Sequence, residues 1–169
     1  MSLAATESPF PIPRALALAL AAIGPVAIGG IFAARAGVAT PVAVAPAIVF
    51  GALAATSPAL YIAIAATGDA PPAGRVARAL AIGLGAFGIA LAGLVAPAAF
   101  LSLSSSSPET TVAMTSLALA GAAVLGFRRL AHELGTRSLA ASVVFVVWAF
   151  ATLGIAGRLW WDLAAEVMS

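Results

Sequence analysis

Five long apolar stretches, separated by short polar or proline-rich links, dominate the sequence. They cover residues 15–34, 42–67, 79–101, 110–127 and 138–160. A helix needs about 20 residues to cross a hydrocarbon core about 30 Å thick, and each stretch approaches or exceeds that length. Strands of a membrane barrel alternate polar and apolar residues, which these stretches do not do. The pattern predicts an all-α bundle of five transmembrane helices over residues 15–161, between an N-terminal tail (1–14) and a C-terminal tail (162–169).

Residues that begin or end helices occupy the links. Residues 68–74 contain two consecutive prolines, which a helix interior does not accommodate. Ser107, Pro108 and Glu109 are typical of a helix start, with a side-chain cap, a first-turn proline and an acid near the positive helix end. The link at residues 35–41 is the weakest boundary, because a re-entrant first stretch would leave four spans.

The arginines favour one orientation of the five spans. Only Arg35 and Arg158 fall on the side opposite the N-terminus. Six others lie on the N-terminal side: Arg14, Arg75, Arg78, Arg128, Arg129 and Arg137. Short loops rich in arginine stay in the cytoplasm. We therefore expect a cytoplasmic N-terminus and a C-terminus outside.

Composition supports lipid as the surroundings of this chain. The sequence is 63% hydrophobic and 8% charged, with no cysteine. Soluble domains carry about a quarter charged residues, so an ordinary cytosolic enzyme, a disulfide scaffold and a disordered tail are excluded. The net charge is +2 with no basic stripe, so we expect the lipid bilayer as a partner and no nucleic acid. Arginine without lysine in an alanine-rich chain is typical of a GC-rich bacterial genome, and we expect a multi-pass protein of the bacterial cytoplasmic (inner) membrane.

Small residues at four-residue spacing predict close helix packing. Lipid is as apolar as leucine, so helices associate in a bilayer through close backbone contact. One such face carries Ala118, Ala122 and Gly126, and another carries Ala81 and Gly85. Faces of this kind serve packing within one bundle or association between chains. The second interpretation predicts a homo-oligomer or contact with another membrane subunit.

Pro58, inside the second stretch, suggests either a helix whose freed carbonyl is hydrogen-bonded by nearby hydroxyls or a path for a solute. Thr56 and Ser57 directly precede Pro58, and proline frees a carbonyl in the preceding turn. The hydroxyls either bond to their own helix backbone or, with Tyr61, line a path beside a broken helix. Pro97 is the candidate for a second break, as transporters use.

The sequence contains few residues typical of catalysis or of cofactor and metal binding. Gly83–Gly88 matches G-x-G-x-x-G, but it lies in an apolar stretch without the strand or the acid that a dinucleotide site needs. His132 is the one histidine, and no carboxylate falls inside a predicted span. A metal site and a proton relay are therefore not expected. We expect no enzyme and no cofactor.

Two groups of residues are typical of the membrane surface. Arg128, Arg129 and His132 follow the fourth stretch and suit anionic headgroups. Trp160 and Trp161 end the fifth stretch, where an aromatic belt lies.

The segment LGFRRLAHELGTRSLA, residues 125–140, resembles the link between the last two spans of Yip1-type membrane proteins. A glycine before a hydrophobic residue, a histidine, and a basic residue before alanine carry the resemblance. It implies five spans with a cytoplasmic N-terminus and a non-enzymatic protein that acts through membrane association and partner binding. The glycine that often follows the histidine in that family is absent here.

These observations predict a non-catalytic membrane protein that acts by helix–helix association, as a self-assembling unit or a small subunit of a membrane complex. The alternative is a small channel or uncoupled permease, with its path near residues 56–58.

Overall fold

Five α-helices follow one another in the computed structural model, which describes residues 14–68, 71–135 and 138–168, with side chains for residues 19, 21–68, 71–135 and 138–166. They are α1 (Arg14–Ala36), α2 (Thr40–Ala66), α3 (Ala73–Ser104), α4 (Pro108–Leu134) and α5 (Leu139–Met168). The predicted all-α architecture is confirmed. Within the described residues, α2, α3, α4 and the segment Leu139–Glu166 of α5 are long and apolar enough to cross a membrane, whereas the apolar part of α1, Ala21–Ala36, is shorter.

Three helices extend further than the apolar stretches that predicted them. α3 begins at Ala73, α4 continues to Leu134, and α5 reaches Met168. The apolar criterion stops at the first charge, but Arg78 and Arg128 are good helix formers, and both are exposed at the ends of their helices. Hydrophobicity therefore locates the spans but not the helix ends.

α5 runs through residues 162–168, most of the predicted C-terminal tail of residues 162–169. Arg158 and Asp162 form an ion pair of 3.2 Å across one turn. Ala164 is fully buried against Phe32 of α1 and Val112 of α4. Contacts with two distant helices thus continue α5 beyond the predicted span.

The start and the end of α4 follow local rules. Ser107 is the N-cap, and its hydroxyl accepts a bond from the Thr110 amide at 3.4 Å, with Pro108 next to it and Glu109 in the first turn. This start is as predicted. Gly135 ends the helix with φ +58°, and its N–H donates to the Ala131 carbonyl at 3.2 Å. A side chain at this left-handed position would cost free energy, which glycine avoids.

The helices form a ring in the order α1, α3, α4, α5, α2. α3 packs closely along α1 and α4, and α2 packs on α1 and α5, whereas α4 and α5 meet more sparsely. One end of the ring carries the links 37–39 and 105–107, and we call it the Ser105 end. The opposite end, with the links that follow α2 and α4, is the Gly68 end. Although α2 and α3 are consecutive in the chain, they are not close neighbours in the ring.

Small residues bring α3 and α4 together. A Cβ atom on Gly83 would lie 2.8 Å from Leu130 Cβ, and one on Gly126 would lie 2.9 Å from Phe87 Cβ. Ala118 and Ala122 are buried in the same contact between α3 and α4. The predicted small-residue face of α4 therefore packs inside this chain, against α3. On α3, Gly85 is buried and Ala81 is half-buried.

Candidate functional site

A cavity of about 350 Å³ lies at the centre of the helix ring. All five helices contribute to its walls, and apolar side chains form most of them. Pro25 lines it from α1, Ile48 from α2 and Leu84 from α3. The polar residues in its lining are Ser116, Thr152 and Trp160. The cavity is thus a hydrocarbon-like space with a few polar groups in one wall.

An apolar cluster closes the cavity at the Gly68 end. Its buried members come from α2, α3, α4 and α5: Leu60, Ile64, Val76, Ala79, Leu130, Leu134, Phe145 and Trp148. Phe127 of α4 contacts Trp148 and Phe145 of α5, with ring centroids 5.8 and 6.5 Å away. These rings join α4 to α5 near that end.

Trp160 joins α5 to the rest of the bundle near the Ser105 end. Its indole N–H donates to Ser116 Oγ on α4 at 2.8 Å, and its ring meets Phe32 of α1 edge-on, with centroids 4.8 Å apart. The structure therefore differs from the expectation of an aromatic belt at this residue, because Trp160 is turned inward. A buried indole N–H needs an acceptor, and Ser116 supplies one within the bundle. Trp161 is 55% exposed on the outer surface.

Between these two contacts, the facing sides of α4 and α5 carry small residues. Ala120 and Ala123 of α4 lie opposite Ala156 and Gly157 of α5, and all four line the cavity. Ala120, Gly157 and the nearby Leu153 are also exposed. A residue that is both exposed and part of the lining marks an opening. The cavity therefore reaches the outer surface between α4 and α5, and we call this opening the α4–α5 window.

The window lies near the middle of both helices. Its margins are the Trp160–Ser116 contact and the contacts of Phe127 with the α5 aromatics. From Ser116 to Phe127, α4 rises about 16 Å at 1.5 Å per residue. In a membrane, the window would face acyl chains, because both helices are long and apolar enough to span.

Three donors next to the cavity, on Thr56, Trp148 and Thr152, form hydrogen bonds inside the bundle. Thr152 Oγ1 on α5 donates to Thr56 Oγ1 on α2 at 3.0 Å, and Thr56 Oγ1 donates to the Ala52 carbonyl at 2.9 Å. Trp148 Nε1 donates to the Thr56 carbonyl at 2.8 Å. These bonds fasten α5 to α2. They also leave these donors engaged within the protein rather than offered to a polar ligand.

The structure separates the residues of the sequence-predicted path. Thr56 lies beside the cavity, and Ser57 Oγ donates to the Leu53 carbonyl of its own helix. Pro58, Tyr61 and Pro97 are exposed on the outside. α2 is continuous through Pro58, so the broken-helix interpretation is wrong. The hydroxyls bond to their own backbone, as in the first interpretation.

The residues predicted for the membrane surface, Trp160 apart, are exposed. Arg128, Arg129 and His132 lie in the last turns of α4, at the Gly68 end. Arg129 pairs with Glu133 at 2.7 Å across one turn. In the described residues, no group of three or more histidine, aspartate or glutamate side chains could hold a metal ion.

The cavity and the two hydroxyl residues in its wall, Ser116 and Thr152, were not predicted from the sequence. Ser116 directly follows Thr115 and Thr152 has no neighbouring hydroxyl, and both lie within apolar stretches. Such residues in a membrane helix often bond to a neighbouring helix. Their position within apolar stretches was a signal for a contact, although it does not identify the partner.

Comparisons of this chain with protein-family models, with curated proteins and with solved structures give no match. The resemblance of residues 125–140 to Yip1-type proteins stays a prediction. The cavity and its window are the features of the described residues that bear on function.

Proposed function

We propose that this chain is a five-span membrane protein that binds an apolar molecule in its central cavity and performs no catalysis of its own. One observation carries the proposal: an apolar cavity of about 350 Å³ opens sideways between two helices long enough to span a membrane. Ligand cavities usually enclose about 300–1,000 Å³ and have mainly apolar walls with a few polar groups. This cavity fits that description.

The proposal includes all five crossings, with the N-terminus in the cytoplasm of a bacterium. α1 runs alongside α3 and α2, and it would share their surroundings. Arg75, Arg78, Arg128 and Arg129 lie at the Gly68 end, whereas Arg35 and Arg158 lie toward the Ser105 end. The arginine-rich end of a membrane bundle is normally cytoplasmic.

Binding within the bundle has more support than the other functions that the sequence suggested. Association of chains through Ala118, Ala122 and Gly126 would need a face that α3 already covers. A permeation path along residues 56–58 would need Pro58 and Tyr61 at the interior, and both are exposed outside. Neither obstacle applies to a ligand that enters through the α4–α5 window.

Mass spectrometry of retained molecules tests the proposal. The protein is purified in mild detergent, washed, and extracted with organic solvent, and the apolar molecules per chain are counted. We expect the wild type to retain one such molecule and Ala123→Phe to lose it, because a ring at position 123 would fill the cavity. Val124→Phe is the matched control, since Val124 is the next residue and is 58% exposed on the outer surface.

Equal retention by the two variants would overturn the proposal, because lipid bound only to the outer surface would survive both changes. Ala123→Leu is a second cavity-filling variant if the phenylalanine variant does not fold. Circular dichroism and thermal unfolding show whether each variant keeps its helices.

A further inference from the structure

We infer that the ligand is one acyl chain of a membrane lipid, which enters the cavity sideways through the α4–α5 window while its headgroup stays in the bilayer. This inference rests on the proposed function and names the chemical class of the ligand. The shape of the cavity, the position of its opening and the state of its polar groups carry it.

The cavity extends furthest along α4. On α4, its lining residues run from Ser116 to Leu130, about 21 Å along the helix at 1.5 Å per residue. On α2 and α5 the lining residues span about 12 Å each, so the volume of about 350 Å³ is drawn out on the α4 side. A flexible alkyl chain can follow such an uneven space, whereas a rigid fused-ring molecule cannot.

The window opens toward the hydrocarbon of the bilayer and not toward water. Its middle, at Ala120 and Leu153, lies near the middle of α4 and α5, far from either end of the bundle. At that depth the surrounding medium is hydrocarbon. The molecules that meet the window most often are therefore the acyl chains next to it, and a chain enters without leaving an apolar environment.

The walls favour hydrocarbon over a polar molecule. Thr56, Thr152, Trp148 and Trp160 direct their donors to acceptors within the protein. An empty apolar space leaves its lining without dispersion contacts on one side, and a chain restores them. A headgroup brought inside would lose its water and find these four donors already engaged, at a large cost. The chain therefore enters and the headgroup stays outside.

Two contacts between α4 and α5 bound the window. Trp160 reaches Ser116 at one margin, and Phe127 reaches Trp148 at the other. Between them, Ala120 and Gly157 line the cavity, and nothing lies within 4 Å of a Cβ added to Gly157. A large side chain at position 157 would therefore have room to occupy the window and close it.

Fluorescence quenching by brominated lipid tests the inference. Trp148→Phe and Trp161→Phe together leave Trp160, which lines the cavity, as the single tryptophan. This protein is reconstituted in phosphatidylcholine vesicles whose acyl chains carry bromine, and in unbrominated vesicles. We expect a strong loss of Trp160 emission in the brominated vesicles. Gly157→Phe should recover most of it, because the plugged window keeps the brominated chain out.

Gly154→Phe is the matched control for the plug. Gly154 lies one turn before Gly157 on α5, it is exposed with nothing within 4 Å of an added Cβ, and it is not part of the lining. Quenching in this variant should equal that of the parent. Ala120→Leu plugs the window from α4 and should act like Gly157→Phe, which covers the case in which the latter does not fold.

The outcomes separate this inference from the proposed function. Equal quenching in Gly157→Phe and Gly154→Phe would overturn the acyl chain and its route. If extraction still finds a molecule that Ala123→Phe loses, the proposed function stands with another apolar ligand. If extraction finds no difference between Ala123→Phe and Val124→Phe, both proposals fail.

Discussion

Trp148 on α5 donates its indole N–H to the main-chain carbonyl of Thr56 on α2, across 2.8 Å. Hydrocarbon offers an indole N–H no water, so an acceptor must come from the protein. A carbonyl has two lone pairs and can accept this bond in addition to its helical one. The bond holds α5 to α2 beside the cavity, while the facing sides of α4 and α5 stay apart at the window.

We expect Trp148→Phe to lower the free energy of unfolding by about 0.6 kcal/mol, the mean for hydrogen bonds between membrane helices. Phenylalanine keeps a ring against Phe127 and Phe145, so the variant removes the bond and retains much of the packing. Denaturant titration in mixed micelles, followed by circular dichroism, measures the change. Trp161→Phe alters an exposed ring and should have little effect. A similar loss in both variants would show that ring size, rather than the bond, stabilises the bundle.

The helices could be predicted from the sequence because their causes are local. An apolar stretch of sufficient length specifies a helix in lipid, and Ser107 specifies the start of α4 through a bond to an amide three residues on. The end of α5 could not be predicted in this way. Ala164 lies against Phe32 and Val112, residues of α1 and α4 that are distant in the sequence.

The cavity could not be predicted because it depends on which helices are neighbours. Small-residue spacing indicates a packing face on α4, but not that α3 covers it. The position of Trp160 at the end of an apolar stretch predicts an anchor at the membrane surface. Its partner Ser116 is 44 residues away, and only the folded ring brings them together. The hydroxyls beside Pro58 suggest a path in the sequence. In the structure the orientation of α2 about its axis places Pro58 on the outer surface.

We expect Gly83→Ala to destabilise the bundle by about 1–3 kcal/mol, the usual cost of overpacking a tight contact. The new methyl group would lie 2.8 Å from Leu130 Cβ and 3.2 Å from the Gly126 carbonyl oxygen. Gly93→Ala on the same helix is the control, because nothing lies within 4 Å of its added Cβ. In a helix, alanine is more favourable than glycine by up to about 1 kcal/mol. Gly93→Ala should therefore be as stable as the wild type or more stable. Thermal unfolding of the two variants side by side gives the comparison, and equal stability would contradict the close approach of α3 and α4.

The two ends of the bundle should be accessible from opposite sides of the membrane. The chain has no cysteine, so a single introduced thiol reports its own location. Ser106→Cys lies in the exposed α3–α4 link at the Ser105 end, and Ala73→Cys lies exposed at the start of α3. We expect an impermeant maleimide to label Ser106→Cys in intact cells and Ala73→Cys only after the membrane is opened. The reverse pattern would invert the orientation, and labelling of both in intact cells would contradict a crossing by α3.

Arg35 secures the end of α3 at the Ser105 end. Its guanidinium donates to the Ser105 carbonyl at 2.7 Å, where the last carbonyls of a helix lack partners and carry partial negative charge. We expect Arg35→Met to lower stability by about 0.3–1 kcal/mol, the usual contribution of a cation at a helix C-terminus.

Hydrogen exchange locates the effect of that change. Amides at residues 102–110 should exchange faster in Arg35→Met, and Arg35→Lys should recover part of the protection because it keeps the charge. Arg158→Met is the control, since Arg158 is 73% exposed and makes an ion pair only within its own helix, a contact that usually contributes little. If Arg158→Met speeds exchange at residues 102–110 as much as Arg35→Met does, general loss of charge, rather than the bond to Ser105, controls the end of α3.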